Sequence, residues 1–350
     1  MSTATQAKDQ SLLTSAATRA RALRLLDFAP VALFGAVLLV FGLMSDKFLT
    51  EDNLTQILVQ SAATAVVATG MTFVLLTAGV DLSVGAIMFI GAGIAGKMAL
   101  DGQPLPLCLL VMLGVGLLGG AVNALLVTRL KLVAFIATLA TLYIGRGVGR
   151  WITQTRAMNL PDSFLALGSA KWLGVPVPLW IAGAVILVAQ LVLSNTPFGR
   201  QLYALGNNPE AAKKAGLNTT RLLTAVYVIC GACAGLGGIL ALAQLGSVSP
   251  KFGELYEFDA ITAAVLGGTS LFGGRGKVFP GTVLGAVLLK SIFNGLVIVQ
   301  ADPYLYPLIT SAIIFAAVLL DSVRNHFAAG LGRRRIRPLD LAGRNSPKPL

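Results

Sequence analysis

The chain has 350 residues, of which 55% are hydrophobic and 12% charged, and its mean hydropathy is +0.79. This composition excludes an ordinary soluble domain and indicates an all-α polytopic membrane protein. The formal net charge of +12 does not indicate a nucleic-acid partner, because basic residues concentrated in cytoplasmic loops produce the same excess.

The predicted elements begin with a polar segment, residues 1–28, which lacks the apolar core of a cleaved signal and is expected in the cytoplasm. A transmembrane domain follows over residues 29–323. Its apolar stretches are each able to cross about 30 Å of hydrocarbon and predict about ten transmembrane helices. Their approximate ranges are 29–45, 55–78, 83–100, 105–128, 132–153, 177–194, 221–245, 258–273, 278–300 and 304–322. A basic cytoplasmic tail, residues 324–350, ends the chain and is expected to face membrane lipid.

The distribution of basic residues predicts the orientation of these spans. With the N-terminus inside, 19 of the 27 Lys and Arg residues fall in cytoplasmic segments and seven in outside loops. Both termini are therefore expected in the cytoplasm. Spans 2 to 5 then start outside and spans 7 to 10 start inside, so the topology allows an inverted repeat, without a convincing residue-level match between the halves.

The cytoplasmic loop after the sixth span contains a short polar helix, predicted over about residues 207–217. Asn208 can cap its N-terminus, Pro209 suits its first position, and Gly216 can end it in a left-handed conformation. A helix this short is marginal in water, so capping at both ends suggests that its shape is used against a partner protein. The residues assigned to this docking role are Asn208, Pro209, Glu210, Ala211, Ala212, Lys213 and Gly216.

Polar residues in and beside the spans are candidates for lining or gating a solute path. Asp81 and Asp259 lie at ends of spans, where a role as cap or gate is favoured over one as proton carrier. Lys290 lies deeper and could snorkel, pair with a carboxylate or contact a solute. Uncharged groups could offer hydroxyls and amides to a sugar, although each alone is more often an interhelical hydrogen bond. The candidates are Asp81, Ser83, Asn123, Asp259, Thr269, Ser270 and Asn294.

Catalytic and metal-binding chemistry has little support in the sequence. His326 is the only histidine, so histidine-based triads and His-rich metal sites are excluded. Residues 91–98 approximate a phosphate-binding loop, but Met98 replaces the hydroxyl residue that would hold magnesium. Cys230 and Cys233 lie in an apolar stretch and are interpreted as packed thiols. We assign no catalytic residue, metal ligand or cofactor to this chain.

Three sequence blocks resemble a known family. Glu210-Ala-Ala212, followed after three residues by Gly216, resembles the EAA loop of permease subunits in ATP-binding-cassette importers. The run Gly79-Val-Asp-Leu-Ser-Val-Gly85 is similar to the G-I-D-L-S-V-G signature of their ribose and monosaccharide branch, which shares its architecture with branched-chain amino-acid permeases. A third block of that branch resembles Phe258-Asp-Ala-Ile-Thr-Ala-Ala-Val-Leu-Gly-Gly-Thr-Ser270. The likeness covers about residues 30–322.

The resemblance implies a permease of the prokaryotic inner membrane that imports a monosaccharide by alternating access, with a pentose such as ribose or xylose expected first. It implies a second permease copy or paralogue, an extracytoplasmic sugar-binding protein and a cytoplasmic ATPase that binds ATP and Mg. The helix at 207–217 would be the coupling helix that contacts this ATPase. The alternatives are the same machine importing an amino acid or nucleoside, and an ion-coupled secondary transporter. The latter would need Asp81, Asp259 and Lys290 to be essential.

Overall fold

The computed structural model describes residues 30–332. The predicted N-terminal segment 1–28 and residues 333–350 of the predicted basic tail lie outside the described residues. Residues 29–321 form one unit, and the described residues from 322 onward belong to a second unit. The site residues all lie in the first unit.

The described chain is almost entirely helical. The α-helices are α1 (Pro30–Met44), α2 (Glu51–Leu76), α3 (Val84–Leu100), α4 (Leu105–Thr128), α5 (Ala134–Thr153), α6 (Asp162–Ser169), α7 (Val177–Asn195), α8 (Pro197–Asn207), α9 (Pro209–Lys214), α10 (Thr219–Leu245), α11 (Tyr256–Leu266), α12 (Val283–Ile298) and α13 (Tyr306–Gly332). A π-helical turn, Val278–Thr282, precedes α12, and a short 3-10 helix, Pro303–Leu305, precedes α13.

Four two-residue strands form two small antiparallel sheets. Strand β1 (Met158–Asn159) pairs with β4 (Ser247–Val248), and β2 (Lys171–Trp172) pairs with β3 (Val175–Pro176). The first pairing joins the segment after α5 to the segment after α10. The strand pair therefore ties the two halves of the chain together, through segments that the sequence predicts on the outside.

Five helices of the described residues are long and apolar enough to cross a membrane: Glu51–Leu76, Leu105–Thr128, Val177–Asn195, Thr219–Leu245 and Val278–Ile298. These correspond to the predicted spans 2, 4, 6, 7 and 9, and they confirm an all-α polytopic membrane protein. The predicted third span is a 17-residue helix, α3. The predicted eighth span, 258–273, is helical only to Leu266, because Gly267 and Gly268 turn the chain out of the helix. The count of ten spans and the cytoplasmic termini stay predictions.

Helices α2 and α10 form the centre of the membrane domain. In the most apolar window of each helix, 83% of α2 residues and 72% of α10 residues are buried inside the protein. Small residues permit this close packing: Gly116 of α4 and Gly231 of α10 lie so close that a side chain on either would collide with the other backbone. Glycines therefore allow the backbones of α4 and α10 to approach closely at this crossing.

Each central helix packs against the opposite half of the chain. Helix α10 packs mainly on α4, α2 and α3, whereas α2 packs on α10, α11 and α12. Within the halves, α3 packs on α4 just as α11 packs on α12. This reciprocal arrangement is what an inverted repeat of spans 2 to 5 and 7 to 10 would produce.

Candidate functional site

The predicted docking helix is present as α9, Pro209–Lys214, with the caps expected from its sequence. The Asn208 side-chain oxygen accepts a hydrogen bond from the Ala211 backbone N–H at 2.9 Å. At the other end Gly216 has φ of +83°, and its N–H donates to the Lys213 carbonyl at 3.0 Å. These local bonds account for a stable helix of only six residues.

Most of α9 is available to a partner. Pro209, Glu210, Ala211 and Lys213 are exposed, whereas Ala212 is 5% exposed and packs into the hydrophobic core. The helix is therefore held by one small apolar side chain and presents an acidic N-terminus and a basic C-terminus outward. Among the predicted docking residues, Ala212 therefore anchors the helix to the protein, whereas the exposed residues form its free face.

Helix α8 connects this docking helix to a loop that follows α11, residues 267–277, here called the 267–277 loop. The Tyr203 hydroxyl donates to the Gly276 carbonyl at 2.8 Å, and the Asn207 side-chain amide donates to the Gly274 carbonyl at 3.4 Å. The Gly274 N–H in turn donates to the Leu76 carbonyl at the end of α2 at 2.9 Å. Hydrogen bonds therefore join α8 to the 267–277 loop and, through Gly274 of that loop, to the end of α2.

The predicted candidates Thr269 and Ser270 belong to this loop. Ser270 donates its hydroxyl to Asp321 at 3.2 Å, and the Leu271 N–H donates to the same carboxylate oxygen at 3.0 Å. Arg275 pairs with the other oxygen of Asp321 at 2.9 Å. Thr269 is fully buried against Gly276. Sequence reasoning missed Asp321, whose only signal was an acidic residue at the end of the last apolar stretch.

Asp81, Ser83 and Asn123 converge in one fully buried polar cluster between α2, α3 and α4. One Asp81 oxygen accepts hydrogen bonds from the Ser83 N–H at 2.9 Å and the Ser83 hydroxyl at 2.7 Å. The Asn123 amide donates to both Asp81 oxygens at 3.2 and 3.3 Å, and Thr141 of α5 donates to Asn123 at 2.8 Å. The Asp81 carboxylate thereby accepts from the backbone of Ser83, the residue that precedes α3, while its role as a cap or gate stays a prediction.

Asp259 and Lys290 form an ion pair of 2.9 Å between α11 and α12, and their side chains are 14% and 15% exposed. The Lys290 ammonium also lies 5.5 Å from the centre of the Tyr256 ring and 5.4 Å from that of Phe293. Of the three interpretations open for Lys290, the structure shows pairing with a carboxylate. The pair therefore joins α11 to α12 through a largely buried salt bridge.

Asn294 joins α12 to α2. Its side-chain amide donates to Asn53 at 2.9 Å and accepts from Asn53 at 3.0 Å. The residue is 8% exposed, so it acts as an interhelical hydrogen-bonding group.

The described residues contain no group of three or more His, Cys, Asp or Glu side chains placed to hold a metal ion. Cys108, Cys230 and Cys233 are free and buried. The site therefore consists of an exposed helix connected by hydrogen bonds to a membrane domain whose polar groups are mostly paired with one another.

Comparison with known proteins agrees with this arrangement. Residues 53–320 match the family model described as the permease component of branched-chain amino acid transport systems. The chain is 38% identical to a ribose import permease of Haemophilus influenzae over 81% of this chain and 89% of that protein. It is 37% identical to a D-allose transport permease of Escherichia coli, covering 81% and 88%, and 35% identical to a fructose import permease of Rhizobium meliloti, covering 83% and 84%.

No solved structure is significantly similar to this chain. The family match covers most of the sequence, and the relatives align over nearly their whole length. Members of this family are components of transport systems and not enzymes. The chain therefore belongs to the family of membrane permease components typified by the branched-chain amino acid transport systems.

Proposed function

We propose that this chain is the membrane permease subunit of an ATP-binding-cassette importer that brings a monosaccharide across the prokaryotic inner membrane. The exposed, doubly capped helix α9 carries the proposal, because a transporter subunit without nucleotide-binding residues needs a rigid contact with its energy source. The relatives named for ribose, D-allose and fructose support a sugar as the cargo. A pentose such as ribose or xylose is the first substrate to test.

The proposed mechanism places ATP and Mg on a separate cytoplasmic ATPase whose surface receives α9. Closure of that ATPase moves α9 and α8, and α8 pulls on the end of α2 and on the 267–277 loop through the bonds of Tyr203 and Asn207. Both connected elements lead into the central helices, so the membrane domain can alternate between inward-open and outward-open states. The transmitted bias needs to be only a few kcal/mol to invert the population of two such states.

A sugar-binding protein outside the membrane would supply high-affinity recognition, and a second permease copy or paralogue would complete the membrane part. The described polar candidates fit this division, because Asp81, Asn123 and Asn294 are satisfied by protein groups. Weak binding in the permease lets the solute leave.

The test is co-purification of the tagged chain from its native membrane, comparing wild type with Glu210→Arg. Asp162→Arg is the matched control, because Asp162 is an exposed acid in the first turn of the short helix α6, on the side expected to face away from the ATPase. We expect an ATPase to accompany the wild type and the control but not Glu210→Arg. If no ATPase is recovered with any of the three proteins, and uptake survives ATP depletion, the proposal is contradicted. Ion-coupled transport is then favoured.

A further inference from the structure

A short hairpin just before α7 exposes large apolar side chains on the side that the sequence predicts as outside. Its strands are β2 and β3, and Trp172 pairs with Val175 across them, so Leu173 and Gly174 form a two-residue turn. Trp172 is 59% exposed and Leu173 is 77% exposed. An exposed apolar patch of this kind indicates a surface that contacts something other than water.

The turn of this hairpin carries an apolar residue where a polar one is usual. Leu173 has φ of +52° and Gly174 has φ of +78°, the pair of positive angles that two-residue hairpin turns adopt. Asn or Asp usually precedes Gly in such turns, because these residues tolerate positive φ and are compatible with water at an exposed tip. A bulky apolar side chain gains nothing from this position in water. The turn therefore favours an apolar environment around Leu173.

The hairpin is fixed to the first turn of α7 by two tryptophans. The ring centres of Trp172 and Trp180 are 4.9 Å apart, with an interplanar angle of 64°, so the rings meet edge to face. The Trp180 indole N–H donates to the Trp172 backbone carbonyl at 3.2 Å. These two contacts place the Trp172 ring on the same side of α7 as Trp180.

The exposed residues of α7 show which way that side points. Trp180 begins a stripe of exposed residues, three or four positions apart, along one face of the helix. The stripe continues through Gly183, Ala184, Leu187, Val188 and Leu191. No residue of α7 is charged, and only 22% of its most apolar window is buried inside the protein. An apolar stripe on a membrane-spanning helix faces hydrocarbon, so the Trp172 ring lies beside a lipid-facing surface.

The length of α7 places the hairpin at the edge of the hydrocarbon. Its 19 residues extend about 28 Å, nearly the thickness of about 30 Å that a hydrocarbon core has. Trp180 is the fourth residue of the helix, so its backbone lies about 5 Å from the helix start. Tryptophan concentrates at this depth, because its ring is apolar and its N–H is polar. Lys171, which is exposed and begins β2, is suited to reach lipid phosphates from there.

We propose that the hairpin is a lipid anchor: Trp172, Leu173 and Trp180 insert into the boundary between headgroups and acyl chains, in the leaflet where α7 begins. The anchor fixes the depth of the start of α7. The inference depends on the chain crossing the membrane, and not on the cargo or on an ATPase. It also removes this hairpin from the surface that a sugar-binding protein outside the membrane would contact.

Nitroxide spin labels on single introduced cysteines test the depth of the hairpin. Leu173→Cys places the label at the tip, and Leu187→Cys places it on the lipid-facing stripe of α7. Ser163→Cys is the matched control in water, because Ser163 is an exposed polar residue of α6 in the same segment between α5 and α7. The full-length chain is purified with the partners that accompany it and reconstituted in liposomes. The three native cysteines are buried, so the parent protein supplies the blank.

The measured quantity is the ratio of the label's collision rate with oxygen, which concentrates in lipid, to that with a water-soluble nickel chelate. We expect this ratio to be at least threefold higher at Leu173→Cys than at Ser163→Cys, and highest at Leu187→Cys. Equal ratios at Leu173→Cys and Ser163→Cys would show that the hairpin stands in water and overturn the inference. A label at Leu173→Cys or Leu187→Cys that neither reagent reaches would show that protein covers this surface, which overturns it as well.

A second substitution tests whether the tryptophan holds the tip in the lipid. Adding Trp172→Ala to the Leu173→Cys protein should lower the ratio at the tip at least twofold. Trp151→Ala is the matched control, because Trp151 is an 81% exposed tryptophan of α5 outside the hairpin, and it should leave the ratio unchanged. An unfolding temperature equal to that of the parent shows that each variant is folded. Equal ratios with and without Trp172 would refute its role as an anchor.

Discussion

The carboxylate of Asp321 and the guanidinium of Arg275 form an ion pair of 2.9 Å that holds the 267–277 loop against α13. The same carboxylate accepts hydrogen bonds from Ser270 and from the Leu271 N–H. Since this loop also receives the bonds of α8, Asp321 fixes the far end of the connection that starts at the docking helix. Without the contacts to Asp321, the 267–277 loop would be bonded to α8 but not to α13, and it could move with α8 while α13 stayed in place.

Asp321→Asn tests this connection. The substitution removes the charge that Arg275 pairs with, and the carboxylate hydrogen bonds weaken, at a cost of about 2 kcal/mol. We expect the ATPase to remain bound, because α9 is unchanged, while the amount of sugar imported per ATP hydrolysed falls severalfold. Uptake and ATP hydrolysis measured in the same proteoliposomes give this ratio. Ser270→Ala, which removes one bond to the same carboxylate, should cost about 1 kcal/mol and lower the ratio less.

Gly216→Val tests the closure of the docking helix. Gly216 has φ of +83°, which a β-branched residue adopts only with strain of about 1 kcal/mol or more. We expect weaker retention of the ATPase and reduced ATP-dependent uptake. Gly102→Val is the matched control, because Gly102 has φ of +78° in an open turn between α3 and α4. Equal loss of uptake in both variants would mean that general instability, and not the docking helix, is responsible.

The docking helix could be predicted from the sequence because its determinants are local. The capping bond from Asn208 spans three residues, and the closure at Gly216 depends on a single backbone angle. The long apolar spans could be predicted for the same reason, since hydropathy is a property of each segment alone.

The partners of the polar residues could not be predicted, because tertiary packing chooses them. Asp259 and Lys290 are 31 residues apart, and the contact between Asn294 and Asn53 bridges 241 residues. Nor does hydropathy reveal that the start of α3 packs beside the middle of α5, where Gly145 lies against Ala86. Arg146, one of the seven basic residues assigned to outside loops from the sequence, lies within α5.

Asn123→Ala should destabilise the buried cluster around Asp81. The substitution removes the amide that donates to both Asp81 oxygens, which leaves a fully buried carboxylate with fewer donors. We expect a loss of about 2 kcal/mol, measured as a lower unfolding temperature of the detergent-solubilised protein. Asn53→Ala, which breaks a pair of neutral amides, should cost about 1 kcal/mol. A larger loss for Asn53→Ala would show that Asp81 does not depend on Asn123.

Substitutions at the ion pair between Asp259 and Lys290 can distinguish a structural role of the pair from a role in ion coupling. Lys290→Met alone leaves the Asp259 carboxylate buried without its partner, and removal of one member of a buried pair costs about 3 to 5 kcal/mol. The double variant Asp259→Leu/Lys290→Met removes both charges, so we expect it to recover most of the lost thermal stability. If the pair is structural, ATP-dependent uptake recovers as well and stays insensitive to a proton uncoupler. Recovery of stability without recovery of uptake would instead show that the two charges take part in transport, since a neutral pair can fill the same space but cannot bind or release an ion.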